Sequence, residues 1–282
     1  MYNKSNVAFS FFLLFTVTVL SCTQKKTEET HNNTADNAKL PVTMDDSSRI
    51  IIDRAIAYAG GYENWLQKKT LSFDKKSTSF DSTGKITREI DQHFDYMMQP
   101  EFRAKISYKL HDTDITLIHD GSKARKYYNG KISNEQKDID AAWNSSYGSQ
   151  YVMCMPYKLK DPGINATYIG QLTLLDGEPA QVIKTSYIKG AGSNPDHVWY
   201  YYFEPGTGKM LANSFNGKNN SWDFTRYDQM ESFGGVLLPI IRKGYNADTL
   251  NKPGRMVSQS RHSNIVIDKA FAEDHFRISD GK

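Results

Sequence analysis

Apolar and polar positions change rhythm several times along the chain. Val7 to Leu20 is a nearly unbroken apolar run behind a short polar start that contains Lys4. Residues 23–44 are rich in Thr, Asn, Lys, Glu and Ala and hold no Phe, Trp or Tyr. Such a segment cannot bury enough apolar surface to offset the entropy of ordering it, so it reads as a tether. Ile51, Ile52, Ala55, Ile56 and Ala59 then recur at helical spacing. Asp45, Asp46, Ser47 and Ser48 offer N-caps to that helix, and Gly60-Gly61 supplies its stop. Trp65 and Leu66 are expected in a further short turn packed on the main body.

From Leu71 the period becomes two. The clearest run sets Phe102, Ala104, Ile106, Tyr108 and Leu110 against Arg103, Lys105, Ser107 and Lys109, which predicts a half-buried strand. Asp81-Ser82-Thr83-Gly84, Asp120-Gly121, Asn129-Gly130, Asp176-Gly177 and Gly206-Thr207-Gly208 are turn signals between strand-like runs. Further runs near 165–175, 180–189, 197–204, 209–216, 222–233, 236–246 and 254–268 extend the series. Their short connections imply antiparallel neighbours. Asn134 to Tyr157 interrupts the series with weak helical character, where one or two short helices are expected. The fold class is therefore mainly antiparallel β with a few helices (α+β). No Pro-rich or Ser-rich linker divides residues 45–282, so one domain is expected there.

Composition narrows the function. Without residues 1–21 the chain carries 34 basic and 32 acidic side chains, nearly neutral and without a basic stripe, which argues against nucleic acid. Besides Cys22 the only cysteine is Cys154, expected as a small buried hydrophobe between Met153 and Met155. There is no Gly-x-Ser-x-Gly elbow, no His-Glu-x-x-His and no Cys-x-x-Cys. The histidines are scattered without metal-site spacing, so neither a catalytic set nor a metal site nor a cofactor is predicted. Gly206-Thr207-Gly208-Lys209 lacks the remainder of a phosphate loop and lies between strands, which makes it a hairpin turn.

The apolar run 7–20 has the length of a signal-peptide core and is too short to span a bilayer. Its end, Val19-Leu20-Ser21-Cys22, resembles the lipobox of bacterial lipoproteins. That resemblance implies cleavage of residues 1–21, a diacylglyceryl thioether and further acylation (palmitate) on Cys22, and a tether over 22–44. Thr23 after the cysteine, in place of the aspartate that retains some lipoproteins at the inner membrane, implies the outer membrane. Whether the domain faces the periplasm or the surface stays open. Lys25-Lys26-Thr27-Glu28-Glu29 resembles a surface-export signal and reads equally as a solvated tether.

Aromatic load is the remaining signal. Val198-Trp199-Tyr200-Tyr201-Tyr202-Phe203 puts rings on both faces of one strand. Rings buried in a covered core are the ordinary reading. A curved sheet of modest helix content would instead leave an apolar trough, and Tyr108, Trp199, Tyr200, Tyr201, Tyr202, Trp222 and Phe224 are the candidate ligand-binding residues.

Ala59-Gly60-Gly61 with Trp65, Leu71-Ser72-Phe73, Phe203-Glu204-Pro205, Gly206-Thr207-Gly208-Lys209, Phe224-Thr225-Arg226-Tyr227 and Gly234-Gly235-Val236-Leu237-Leu238-Pro239 resemble an uncharacterised outer-membrane lipoprotein family of Bacteroidota. The order of tyrosine, acidic stretch, Gly-Val and Pro is also similar to LolA-type and LolB-type lipoprotein carriers. Those likenesses imply a curved, half-open β-barrel of about ten strands with an N-terminal helix and one helical insertion. With the lipid anchor, the antiparallel series and the aromatic load, the expectation is a monomeric, non-enzymatic binder or carrier of a lipid or other hydrophobic ligand in the cell envelope. A surface module for glycans or peptides and a hydrolase with a dispersed site are the alternatives. No binding residue transfers from either likeness.

Overall fold

The period-two segments pair into one sheet. The computed structural model describes residues 40–174, 176–188, 198–216, 222–248 and 252–279; Cys22, most of the tether, His31 and His197 lie outside them. In chain order the elements are β1 (Thr43–Met44), α1 (Asp46–Tyr58), α2 (Tyr62–Leu66), β2 (Thr70–Phe80), β3 (Ile86–Met97), β4 (Arg103–Leu110), β5 (Thr113–His119), β6 (Ala124–Tyr128) and β7 (Lys131–Ser133). There follow α3 (Gln136–Met153), a 3₁₀ turn (Tyr157–Lys160), β8 (Ile164–Thr173), β9 (Pro179–Tyr187), β10 (Trp199–Phe203), β11 (Met210–Asn216), β12 (Trp222–Phe233), β13 (Val236–Ala247) and β14 (Pro253–Ile267).

The described sheet has 14 strands, not about ten, in the order β1-β8-β9-β10-β11-β12-β13-β14-β2-β3-β4-β5-β6-β7. The expected number was low for physical reasons. β1 and β7 are two and three residues long, too short to display a period. β3 (ITREIDQHFDYM) hides its apolar side among charges. Apart from the parallel β1–β8 pair, neighbours are antiparallel. Strands β2–β7 form one meander and β8–β14 another, and β14 pairs with β2 to join them.

The sheet curls, and α3 tells which way. Its Asp138 binds Tyr128 of β6 at 2.8 Å, while its Tyr151 reaches Tyr201 of β10 at 2.7 Å. Those two strands are nine spacings apart, about 43 Å along a flat sheet. The helix covers the interval in about 20 Å. A chord shorter than its arc lies on the concave side. The concave face thus carries the helices, and the sheet is single, open and curved.

Where helices cover it, the concave face is a filled core. Ile51, Ile52, Ala55, Ile56 and Ala59 of α1 pack on Ile164, Ala166, Ile183, Phe203 and Val236. Ala142, Trp143 and Met153 of α3 pack on Phe73, Phe94, Tyr96, Ile106 and Leu117. Cys154 lies fully buried in this second cluster, its thiol pushed up to about 12 by burial. The region 134–157 holds one helix of 18 residues, longer than the one or two short helices expected there. α1 begins at Asp45, whose carboxylate accepts from the Ser48 N–H at 2.7 Å. It ends at Gly60 (φ +113°), where a Cβ would sit 2.0 Å from the Gly235 carbonyl oxygen. The two Gly-Gly pairs of the sequence therefore touch, and Leu237 N–H donates to Ala59 O at 2.8 Å. Trp65 of α2 stacks on Tyr157 at 4.4 Å. Among the described residues no helix is long and apolar enough to cross a membrane.

Candidate functional site

Beyond the helices, the concave face changes from filled core to an aromatic wall, a small-residue floor and a cationic patch. The wall stands on β9–β11. Trp199 stacks on Phe215 at 4.3 Å, and Tyr151 of α3 closes over Trp199 at 5.5 Å. Tyr151 and Tyr201 share a hydroxyl hydrogen bond of 2.7 Å, and the Tyr187 hydroxyl donates to that of Tyr151. Burial holds all three phenols well above their ordinary value, so they are neutral hydrogen-bonding groups. Trp199 and Phe215 are half-buried, whereas Tyr201 is fully enclosed.

Strand register places Thr225, Gly244, Ser258, Ser260, Ser77 and Ser79 next along the same face. No large side chain rises from these positions. Past them stand three bases. Lys75 of β2 is opposite His262 of β14, and Arg242 of β13 is opposite Ser260. The Lys75 ammonium lies 5.6 Å from the Phe94 ring centre, and the Arg242 guanidinium 6.0 Å from that of Tyr227. His262 packs edge-on against Phe73 at 5.5 Å. Burial, then the Arg242 charge, lowers Lys75 to about 8. Burial, then Arg242 and Lys75, lowers His262 to about 2, so it is neutral. Among the described residues no carboxylate pairs with Lys75 or Arg242. Arg242 Nε and His262 Nδ1 are buried without a hydrogen-bond partner. Asp223 of β12, on this face by register, is raised by burial alone.

The candidate residues chosen from sequence divide between the faces. Trp199 and Tyr201 belong to the concave wall. Tyr108 is also concave and half-buried, but sits seven strands away from β10, beside Lys126 and Tyr128. Tyr200, Tyr202, Trp222 and Phe224 point to the convex face. There Tyr202 and Phe224 join Leu174, Val182 and Leu211 in a small cluster, with Tyr200 and Trp222 tilted 6.0 Å apart beside it. A cleft of about 340 Å³ opens next to Phe224, lined by Leu174, Arg226, Asp228, Lys243 and Tyr245 among others. Its charges are paired: Arg226 with Asp176 and Glu178, and Lys243 with Asp228, each at 2.6 Å. One small ligand cannot touch both sets. Sequence reasoning missed Tyr151, Tyr187, Phe215, Lys75, Arg242 and His262. Strand parity was the available signal for five of them; Tyr151 reaches the wall only through the helix.

A second polar cluster lies on the convex face of β2 and β3. Asp95 accepts from Ser72 Oγ at 2.7 Å and Lys269 Nζ at 3.4 Å, with His275 Nε2 at 2.9 Å and His93 Nε2 at 3.2 Å. The Ser72 hydroxyl is spent on the carboxylate and faces no imidazole, so these groups do not make a nucleophile–base pair. They fasten the C-terminal segment to the sheet.

A single open, curved sheet with three helices across its hollow defines the LolA-like fold class. Similar solved structures include a LolA superfamily protein from Nitrosomonas europaea (8% identity, TM-score 0.52, 82% of this chain and 97% of that one). Another is a DUF1329 family protein from Desulfovibrio piger (10% identity, TM-score 0.51, 83% of this chain and 98% of that one). Within that class the chain belongs to the family of unknown function DUF6503, which matches residues 40–239. No curated protein matches it significantly.

Proposed function

We propose that this protein is a lipid-anchored lipoprotein of the cell envelope that binds or carries a lipid or other hydrophobic ligand on its concave face, without catalysing a reaction. The observation that carries the reading is the half-buried Trp199–Phe215 stack, walled by Tyr151 and Tyr187 where helix cover ends. Rings that are neither exposed nor fully packed suit an apolar guest. The LolA-like fold supplies the hollow in which they stand. Anchoring through Cys22, placement at the outer membrane and kinship with Bacteroidota lipoproteins complete the proposal.

Native mass spectrometry of the full, delipidated chain with added phospholipid tests it. The expected result is a one-to-one adduct that Trp199→Ala weakens. No adduct with any phospholipid or fatty acid would overturn it. The half-buried Tyr200–Trp222 pair on the convex face favours a second reading, stacking on a glycan; binding on a glycan array that Trp222→Ala abolishes would select it.

A further inference from the structure

We infer that the concave face recognises the oxyanion headgroup, carboxylate or phosphate, of an amphipathic ligand, gripped between Lys75 and Arg242. The apolar part of that ligand would run over the small-residue floor toward Trp199 and Phe215. For the tail, this rests on the binding reading above; the headgroup site stands on its own observations.

Two cations converge here from β2 and β13, with the neutral His262 of β14 beside them, and no described carboxylate pairs with either cation. Other half-buried cations of the sheet and its helices are answered by acids: Lys126 by Asp138, Arg226 by two carboxylates, Lys158 by Asp161, although Lys105 and Arg125 are not. Half-buried cations left without a counter-charge are costly, and a bound anion removes that cost. His262 is 3% exposed, yet its Nδ1 has no partner, and Arg242 Nε is likewise unanswered. The surroundings are apolar and aromatic on one side, Phe73, Phe94 and Tyr227, which lowers the local dielectric and strengthens a charge-assisted bond. On the other side lie Gly244, Ser258, Ser260 and Ser77, which leave room above the sheet and offer hydroxyl donors. Arg242 presents a planar fork suited to two oxygens of one anion, and Lys75 a single point charge beside it. Asp223 stands on the same face toward the aromatic wall, where a repelling carboxylate fixes the polarity of the ligand: head toward β2, tail toward β10.

The test is calorimetric titration of the full, delipidated chain with oleate, oleoyl lysophosphatidic acid, oleyl alcohol and inorganic phosphate. At least one of the two anionic amphiphiles should bind roughly 10- to 100-fold more tightly than the alcohol, the range for charge-assisted contacts in a partly dry site. Lys75→Gln combined with Arg242→Gln should bring it to the alcohol's affinity. Lys75→Met alone, checked for folding by circular dichroism, should lose most of the preference and serves if the double variant does not fold. Equal affinity for alcohol and anions overturns the headgroup site while leaving hydrophobic binding intact. Phosphate binding that the variants abolish, without uptake of any oleyl compound, supports the anion site and overturns the carrier reading. No binding of any probe overturns both.

Discussion

Lys75 shares strand parity with Leu71 and Phe73 and therefore points with them into the concave face. Alternation alone carries this signal, but a lysine within a strand ordinarily marks the outward side, which masks it. The same parity separates Trp199 and Tyr201 from Tyr200 and Tyr202; which face the helices cover was not written in the strand itself. The position has a thermodynamic signature. The ammonium's folded value, about 8, lies below its ordinary value, so the charged form is disfavoured in the fold. Below pH 8 the protein carries that penalty in full; it fades as pH rises toward about 10.5 because the unfolded chain then binds the extra proton. Ligand-free Lys75→Met should be about 2 kcal/mol more stable than the parent at pH 7, with the gap closing by about pH 10.5 in urea titrations. A gap independent of pH would show that Lys75 is not strained by burial.

Among the elements, the C-terminal segment after β14 depends on one carboxylate. Burial alone would raise Asp95, but the Ser72 hydroxyl, the His93 charge, and His275 and Lys269 outweigh it and hold the carboxyl below its ordinary range. Its contribution is therefore complete above about pH 4 and lost as pH falls through the lowered folded value. Asp95→Asn should cost about 2 kcal/mol and flatten that acid loss. Hydrogen exchange should accelerate across residues 268–279 while the core strands stay protected. Unchanged exchange there would show that Phe276, buried on its own account, suffices to dock the segment. Helix α3 illustrates why elements were only partly legible. Ser145, Ser146, Gly148 and Ser149 lower its intrinsic propensity. Packing of Ala142, Trp143 and Met153 on the sheet overrides that preference, and Ser146 Oγ donates back to Ala142 O at 2.8 Å.

For the whole molecule, period-two alternation and turn residues revealed the antiparallel sheet, since both are local. Strand order was hidden because β14–β2 pairing joins segments far apart in sequence, and no local pattern reports a long-range neighbour. Curvature is implied by the likeness to half-open barrels and not by strand alternation, and its direction is fixed by α3, which bridges distant strands. A chain ending at Lys252 would lack β14 and leave both β13 and β2 bare. Eleven-residue β2 would become an open edge carrying Leu71 and Phe73. Such a truncation should elute as soluble aggregates in size-exclusion chromatography, whereas one ending at Asp268 should keep the parent's elution volume. Equal behaviour of the two would show that the meanders close without the joining strand.

The pairing of β14 with β2 also sets a timetable. Along the chain β2 comes early and its mate almost last, so until β14 is in place the β2 flank of the first meander has no neighbour to dock against. For an exported chain, as proposed, the sheet can close only after nearly all of the domain has crossed the membrane.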